Sequence, residues 1–200
     1  MGSTAKIYGL QRSGNNWMMW MLPANYRVEI LGNKKAGWTH GPIDRKKWAK
    51  TPSVIVLMVK HPISWLQSIY RFRGVGSFDE YIQESNEIKT WNESNRRWLD
   101  AIAEIELPSV VVRYEDALAK PENTLMQIAK AGGLERKDPY GELRMQDKWM
   151  GKHGQPTRMN FDVNYYAQRK YMSIPRRLVR YINARVDRNV MARLGYERAG

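Results

Sequence analysis

The 200-residue chain contains no cysteine. Disulfides, zinc–thiolate centres and thiol nucleophiles are thereby excluded, and the composition suits a reducing compartment. No apolar run approaches the roughly 20 residues of a membrane span, and the N-terminal MGSTAKIYGL has no stretch of signal-peptide length. That N-terminus matches a myristoylation signal only in part, because Lys6 stands where Ser or Thr is required. A soluble cytoplasmic protein is the expectation. Proline is sparse, at 9 residues, and hydrophobic residues make up 42%, so the chain reads as folded rather than disordered. Acidic residues are also in short supply: 20 Asp and Glu against 33 Lys and Arg leave a formal charge of +13. Residues 151–200 alone hold 11 Lys/Arg against 3 Asp/Glu, a local charge of +8. Such a balance favours polyanions, anionic surfaces or phosphorylated small molecules, although most of these arginines read as a solvated helix face.

What is present is an alternation of apolar strands and helical patterns. AKIYGL (5–10) is a short strand candidate, followed by a glycine turn and the helical run NNWMMWML, which Pro23 is expected to close. YRVEIL (26–31) reads as a second strand. SVIVLMV (53–59) is the clearest strand, continuous and rich in β-branched residues, as a strand covered on both faces should be. Pro62 then opens the helix ISWLQSIYRF, and RGVGS (73–77) breaks it before helical stretches near 78–87 and 89–105. LPSVVVRY (107–114) reads as another buried strand, and KPENTLMQIAKAGGL as a helix ending at Gly132 and Gly133. Residues 135–174 are polar with few signals. The chain closes on one expected helix with Leu178, Ile182, Val186, Val190 and Leu194 along one side. The expectation is a single α/β domain over 1–200, three-layered and P-loop-like, with a central, mostly parallel sheet flanked by helices.

Residues 7–17, IYGLQRSGNNW, carry the first chemical signal. A strand entering a glycine turn and then a helix aims backbone N–H groups and the helix dipole at one spot, which binds anions. Gly9 and Gly14 have the spacing of GxxxxGK[ST], yet Asn15 and Asn16 replace the lysine and hydroxyl that would reach terminal phosphates and hold Mg²⁺. Arg12 supplies a fixed charge, and Ser13, Asn15 and Asn16 supply donors. The loop thus suits a phosphate group and is poorly equipped for metal-dependent chemistry.

QRSGNNW resembles the 5′-phosphosulfate loop of sulfotransferases that use 3′-phosphoadenosine 5′-phosphosulfate, whose pattern is approximately [KR]-S-G-T-T-W. The match falls on Arg12, Ser13, Gly14 and Trp17, with asparagines in place of both threonines. The family's 3′-phosphate site pairs a basic residue after a strand with a serine eight positions on. Here these are Lys60 and Ser68, and lysine keeps the charge of the usual arginine without its bidentate geometry. Its catalytic base lies in a K-T-H-L-P-like stretch, resembled by GWTHGPI at 37–43 through Thr39, His40 and Pro42. Downstream, VVVRYEDALAKPENTLMQIAKAGGL, the terminal RLGYE and the tryptophan-bounded TWNESNRRWLD (90–100) are similar to family segments. MGKHGQPTR (150–158) is the only candidate for its nucleotide-covering K-G-x-x-G loop.

The resemblance implies metal-independent, in-line sulfonate transfer to a hydroxyl or amine, with His40 as general base and Arg12 stabilising charge. Arg12, Ser13, Gly14, Asn15, Asn16, Trp17, Lys60 and Ser68 would bind the donor, and Trp17 would stack on adenine as the family's equivalent does. Met18, Met19 and Met21 read as packing residues. Glu115 and Asp116 read as a strand-end and helix-capping pair, and His61 and His153 lack the spaced partners of a metal site. The acceptor class is a small molecule or glycan, anionic ones included. Two alternatives stand beside this reading: a P-loop nucleoside or small-molecule kinase, and a basic nucleic-acid-binding module, for which no recognised motif is present.

Overall fold

The long apolar run at 53–59 becomes the interior of a parallel sheet in the computed structural model, which describes residues 2–137, 149–150, 156–157 and 173–199. Along the chain, β1 (Ser3–Gly9) leads through α1 (Asn15–Asn25) to β2 (Val28–Ile30). Next come α2 (Asn33–Ala36), a 3₁₀ turn at Arg45–Lys47 and β3 (Val54–Val59). Then follow α3 (Pro62–Arg73), α4 (Phe78–Glu84), α5 (Glu87–Glu104) and β4 (Ser109–Arg113). After α6 (Tyr114–Ala119) and α7 (Pro121–Gly132), the two-residue strands β5 (Trp149–Met150) and β6 (Pro156–Thr157) pair antiparallel. The helices α8 (Arg176–Arg185) and α9 (Arg188–Arg193) close the chain.

The four-stranded sheet has the order β2-β1-β3-β4, and every pairing in it is parallel. All six side chains of β3 are buried, because both faces of the sheet are covered. On one face, Ala5, Ile7, Val54, Val56 and Met58 pack against Trp17, Met18 and Leu22 of α1 and Leu125 and Ile128 of α7. On the other, Tyr8, Ile55, Leu57 and Val59 meet Trp65 and Leu66 of α3, Trp91 and Trp98 of α5, and Leu178 and Ile182 of α8. This is the expected three-layer α/β arrangement.

The connection from β1 crosses one face to reach β2, whereas the connection from β3 crosses the other to reach β4. The two therefore diverge at the carboxyl ends of β1 and β3, where sheets of this topology have the crevice that usually takes a ligand. Gly9 ends β1 and Lys60 follows β3, so both predicted anion-binding segments stand at that crevice.

Several expectations need correction. Pro23 does not close α1; the helix runs two residues past it. Only one ladder bond is lost to the missing N–H so near the end, and the last turn keeps Tyr26 N–H to Leu22 O (2.9 Å) and Asn25 Nδ2 to Met21 O (2.8 Å). β4 lies at the sheet edge, and among its residues only Val112 is fully buried. The C-terminal helix is two helices, broken at Val186 and Asp187. The Asp187 carboxylate caps α9 by accepting from the N–H groups of Asn189 and Val190. Asn92 of α5 takes the backbone groups that the break exposes, donating to Arg185 O (2.8 Å) and accepting from Asp187 N–H (2.9 Å). The apolar stripe survives, since Leu178, Ile182, Val186, Val190 and Leu194 are all buried. Among the described residues no helix is long and apolar enough to cross a membrane. The candidate covering loop at 150–158, and His153 within it, lie outside the described residues apart from the backbone of Met150 and β6.

Candidate functional site

The loop between β1 and α1 is shaped by conformations that few residues tolerate. Gly14 has φ +92°, and a Cβ there would lie 2.4 Å from the Tyr114 ring. Gly9 has φ +155°, and its Cβ would meet the Met58 carbonyl oxygen at 2.4 Å. Between them Arg12 adopts φ +66°, the one positive φ outside glycine among the described residues. The backbone therefore turns tightly against β3 and α6 at the mouth of the crevice. The N-cap of α1 is Gly14, with no side-chain cap, so the first N–H groups of the helix remain directed at the loop mouth. Arg12 and Asn16 are exposed, and the Arg12 guanidinium sits 5.3 Å over the Phe72 ring. Ser13 is buried, with its N–H donating to Leu10 O at 3.2 Å.

Asn15 occupies the position of the P-loop lysine but turns inward. Its Nδ2 donates to Gly9 O (3.2 Å) and Leu10 O (2.8 Å), so the amide shapes the loop from within. Its Oδ1 is buried and makes no hydrogen bond among the described residues. Trp17 is also buried, at 5% exposure, within the core cluster of α1 and α7. The expected adenine-stacking face is thus turned into packing, because position 17 falls on the sheet-facing side of α1.

Lys60 and Ser68 meet. Lys60 Nζ donates to Ser68 Oγ at 2.7 Å, and both residues are more than nine-tenths buried. The helix α3 makes this possible: Pro62 starts it immediately after the strand, and Ser68 returns two turns up the face above Lys60. The same ammonium lies 4.5 Å over the Tyr114 ring, whose edge is what Gly14 packs against. Tyr114 consequently links the glycine loop to the Lys60–Ser68 pair.

His40 reaches the loop from a third segment. Its Nδ1 lies 2.6 Å from Gly9 O, while Gly9 N–H donates to Thr39 O at 3.1 Å. A carbonyl oxygen only accepts, so Nδ1 carries the proton of the neutral ring and the lone pair resides on Nε2. Trp38, 56% exposed, stands edge-on to the imidazole at 5.4 Å.

The sequence reading missed what holds these segments. Three indole N–H groups donate to their backbone carbonyls: Trp65 to Gln11 O (2.8 Å), Trp91 to Lys60 O (3.0 Å) and Trp98 to Gly41 O (2.8 Å). Trp91 and Trp98 are seven residues apart and share one face of α5, so one helix braces both the Lys60 and the His40 segments. Lys6, fully buried in β1, donates to Gly37 O at 2.6 Å, and burial lowers its pKa from 10.5 to about 8. Glu115, read with Asp116 as a strand-end and helix-capping pair, accepts from His61 N–H (3.1 Å) and Tyr196 O–H (2.7 Å). That ties the C-terminal RLGYE to the end of β3. Burial, and then the charge of Glu115, push the Tyr196 hydroxyl far above its ordinary range. A charge inside the expected strand AKIYGL was the one available sign of Lys6.

No family model matches the chain, and no curated protein matches it. Among solved structures it is similar to the Sulfotransferase Domain from the Curacin Biosynthetic Pathway, at 20% identity with a TM-score of 0.39. The match covers 73% of this chain and 54% of that one, so the chain spans about half the length of that structure. A likeness of this order identifies neither family nor activity.

Proposed function

We propose that this chain is a sulfotransferase that moves a sulfonate group from 3′-phosphoadenosine 5′-phosphosulfate to a hydroxyl or amine of a small-molecule or glycan acceptor. The observation that carries the reading is the buried Lys60–Ser68 pair beside a glycine loop at the diverging ends of β1 and β3. It supports two anion positions, one at the loop and one at Lys60, joined through Tyr114. Two separated positions suit a nucleotide phosphorylated at both the 3′ and the 5′ carbon better than a linear triphosphate. The inward-turned Asn15, standing where a kinase P-loop has its lysine, favours the same choice.

The residues present fit such a donor. Arg12 and the N–H groups of the loop and of α1 would hold its 5′ end, and Lys60 with Ser68 its 3′-phosphate. When bound, the donor supplies an electrophilic sulfonate whose leaving group is 3′,5′-adenosine bisphosphate. His40, held through Nδ1, would take the acceptor proton on Nε2. Arg12 and the loop N–H groups would balance the charge that develops on the transferred group and the departing phosphate. A fixed set of donors at one crevice does this without reorganising during the reaction.

Thermal shift decides between this reading and a kinase. 3′,5′-adenosine bisphosphate should stabilise the protein without Mg²⁺, and radiolabelled sulfur should pass from the donor to a pool of phenols, sugars and amines. Stabilisation by Mg–ATP and not by the bisphosphate would overturn the proposal.

A further inference from the structure

Lys6 is the residue this fold has least reason to bury. It lies in the second strand of the sheet order, is fully buried, and finds no carboxylate among its hydrogen-bond partners. A methionine of similar length would fill the same space without removing an ammonium from water, which is expensive when no opposite charge compensates. The geometry of the three partners indicates what the charge is for.

The ammonium has three donors, and they gather three neutral oxygens from one segment: Gly37 O at 2.6 Å, Thr39 Oγ1 at 3.4 Å and Asn33 Oδ1 at 3.5 Å. Asn33 Oδ1 also accepts from Thr39 N–H and Thr39 Oγ1, both at 3.1 Å. Tyr8, two residues on and on the same face of β1, donates to Ala36 O at 2.8 Å and accepts from Trp48 Nε1 at 3.1 Å. This segment has few apolar anchors of its own: Ala36 is buried, whereas Trp38 points outward. Polar contacts from β1 therefore decide its path, and the path ends at Thr39 and His40, which grip the two sides of Gly9.

We infer that Lys6 is a positioning residue that sets the orientation of the His40 imidazole through the Asn33–Gly37–Thr39 segment. The inference rests on the proposed role of His40 as general base, but its consequence for the ring is independent of that role. With the Lys6 contacts in place, His40 is held in the Nδ1–H form with Nε2 available. Without them the segment loses the ammonium that ties Asn33, Gly37 and Thr39 together onto β1, and the ring loses its fixed approach to Gly9.

The test is Lys6→Met, read by nitrogen NMR of the His40 imidazole in the full chain, with 3′,5′-adenosine bisphosphate affinity as a second measurement. The wild-type ring should show a protonated Nδ1 and a bare Nε2, and Lys6→Met should show averaged tautomers. Bisphosphate affinity should stay within about twofold, because Lys60 and Ser68 are untouched, whereas turnover should fall on the order of 100-fold at unchanged nucleotide KM. A purely structural lysine would lower stability and leave the tautomer as it was. Should Lys6→Met fail to fold, Thr39→Val removes a single oxygen from the cluster and should produce the same tautomer change in weaker form. A wild-type tautomer in the folded variant, or in Thr39→Val when that variant is decisive, overturns the inference. Loss of all sulfonate transfer in the wild type would overturn the proposed function, and the tautomer result would still decide the role of Lys6.

Discussion

The imidazole of His40 and the carbonyl of Gly9 lie 2.6 Å apart, although 31 residues separate them in the chain. This contact places a ring nitrogen capable of accepting a proton at the edge of the glycine loop between β1 and α1. It joins the segment that would carry the base to the segment that would carry the donor.

His40→Asn keeps a hydrogen-bonding side chain but removes the basic nitrogen. Sulfonate transfer should drop by roughly 10²–10⁴-fold, the usual contribution of general base catalysis. Calorimetric titration should give the same 3′,5′-adenosine bisphosphate affinity as the wild type. Wild-type turnover in this variant would require a different base.

Lys60→Ala should weaken bisphosphate binding by about 1.5–3 kcal/mol, the range for hydrogen bonds to a charged group. The informative comparison is with adenosine 5′-monophosphate, which lacks the 3′-phosphate and should bind wild type and variant alike. An equal loss for both nucleotides would move the 3′-phosphate away from Lys60.

Gly14→Ala would place a Cβ 2.4 Å from the Tyr114 ring at φ +92°, so the loop must shift. A stability loss of about 1–3 kcal/mol is expected by chemical denaturation, together with weaker nucleotide binding. Adding Tyr114→Ala should relieve the overlap but not the backbone strain, so rescue should be partial.

Burial lowers the Lys6 pKa to about 8 from 10.5. Between those values the unfolded chain carries a proton that the folded chain has released, so this lysine makes stability rise with pH across the interval. Tyr8, raised above 10 by burial, acts in the opposite sense once the unfolded chain starts to lose its phenolic proton. Urea titrations between about pH 8 and 10 should therefore show a rise in wild-type stability relative to Lys6→Met. Parallel curves for the two proteins would contradict it.

Tyr196→Phe leaves Glu115 Oε2 without the hydroxyl it accepts from at 2.7 Å. Destabilisation of about 1 kcal/mol is expected for a half-buried acceptor that loses one of its two partners. Hydrogen exchange should rise in residues 195–197, which also hold His61 through Glu197 O.

The strands were legible because their signal is local. A run such as VIVLMV can be buried on both faces only inside a sheet, and Pro62 directly after it announces a helix. Lys60 and Ser68 were paired through the resemblance, and the geometry agrees because a strand end and two helical turns can bring both to one spot. Other features depended on hydrogen bonds that the apolar pattern does not show, some local and some distant in sequence. Pro23 stays within α1 because the last turn is completed by Tyr26 and Asn25, and the C-terminal helix breaks because Asn92 of another helix receives its exposed backbone groups.

The sequence by itself thus determined the alternation of strands and helices and the glycine loop between β1 and α1, both consequences of periodicity and short-range geometry. Only the tertiary structure decided that His40 meets Gly9, that Asn15 and Trp17 turn inward, and that a buried Lys6 holds the His40 segment. Those outcomes follow from which strand lies beside which and where the crossovers diverge, and no pattern of neighbouring residues encodes that.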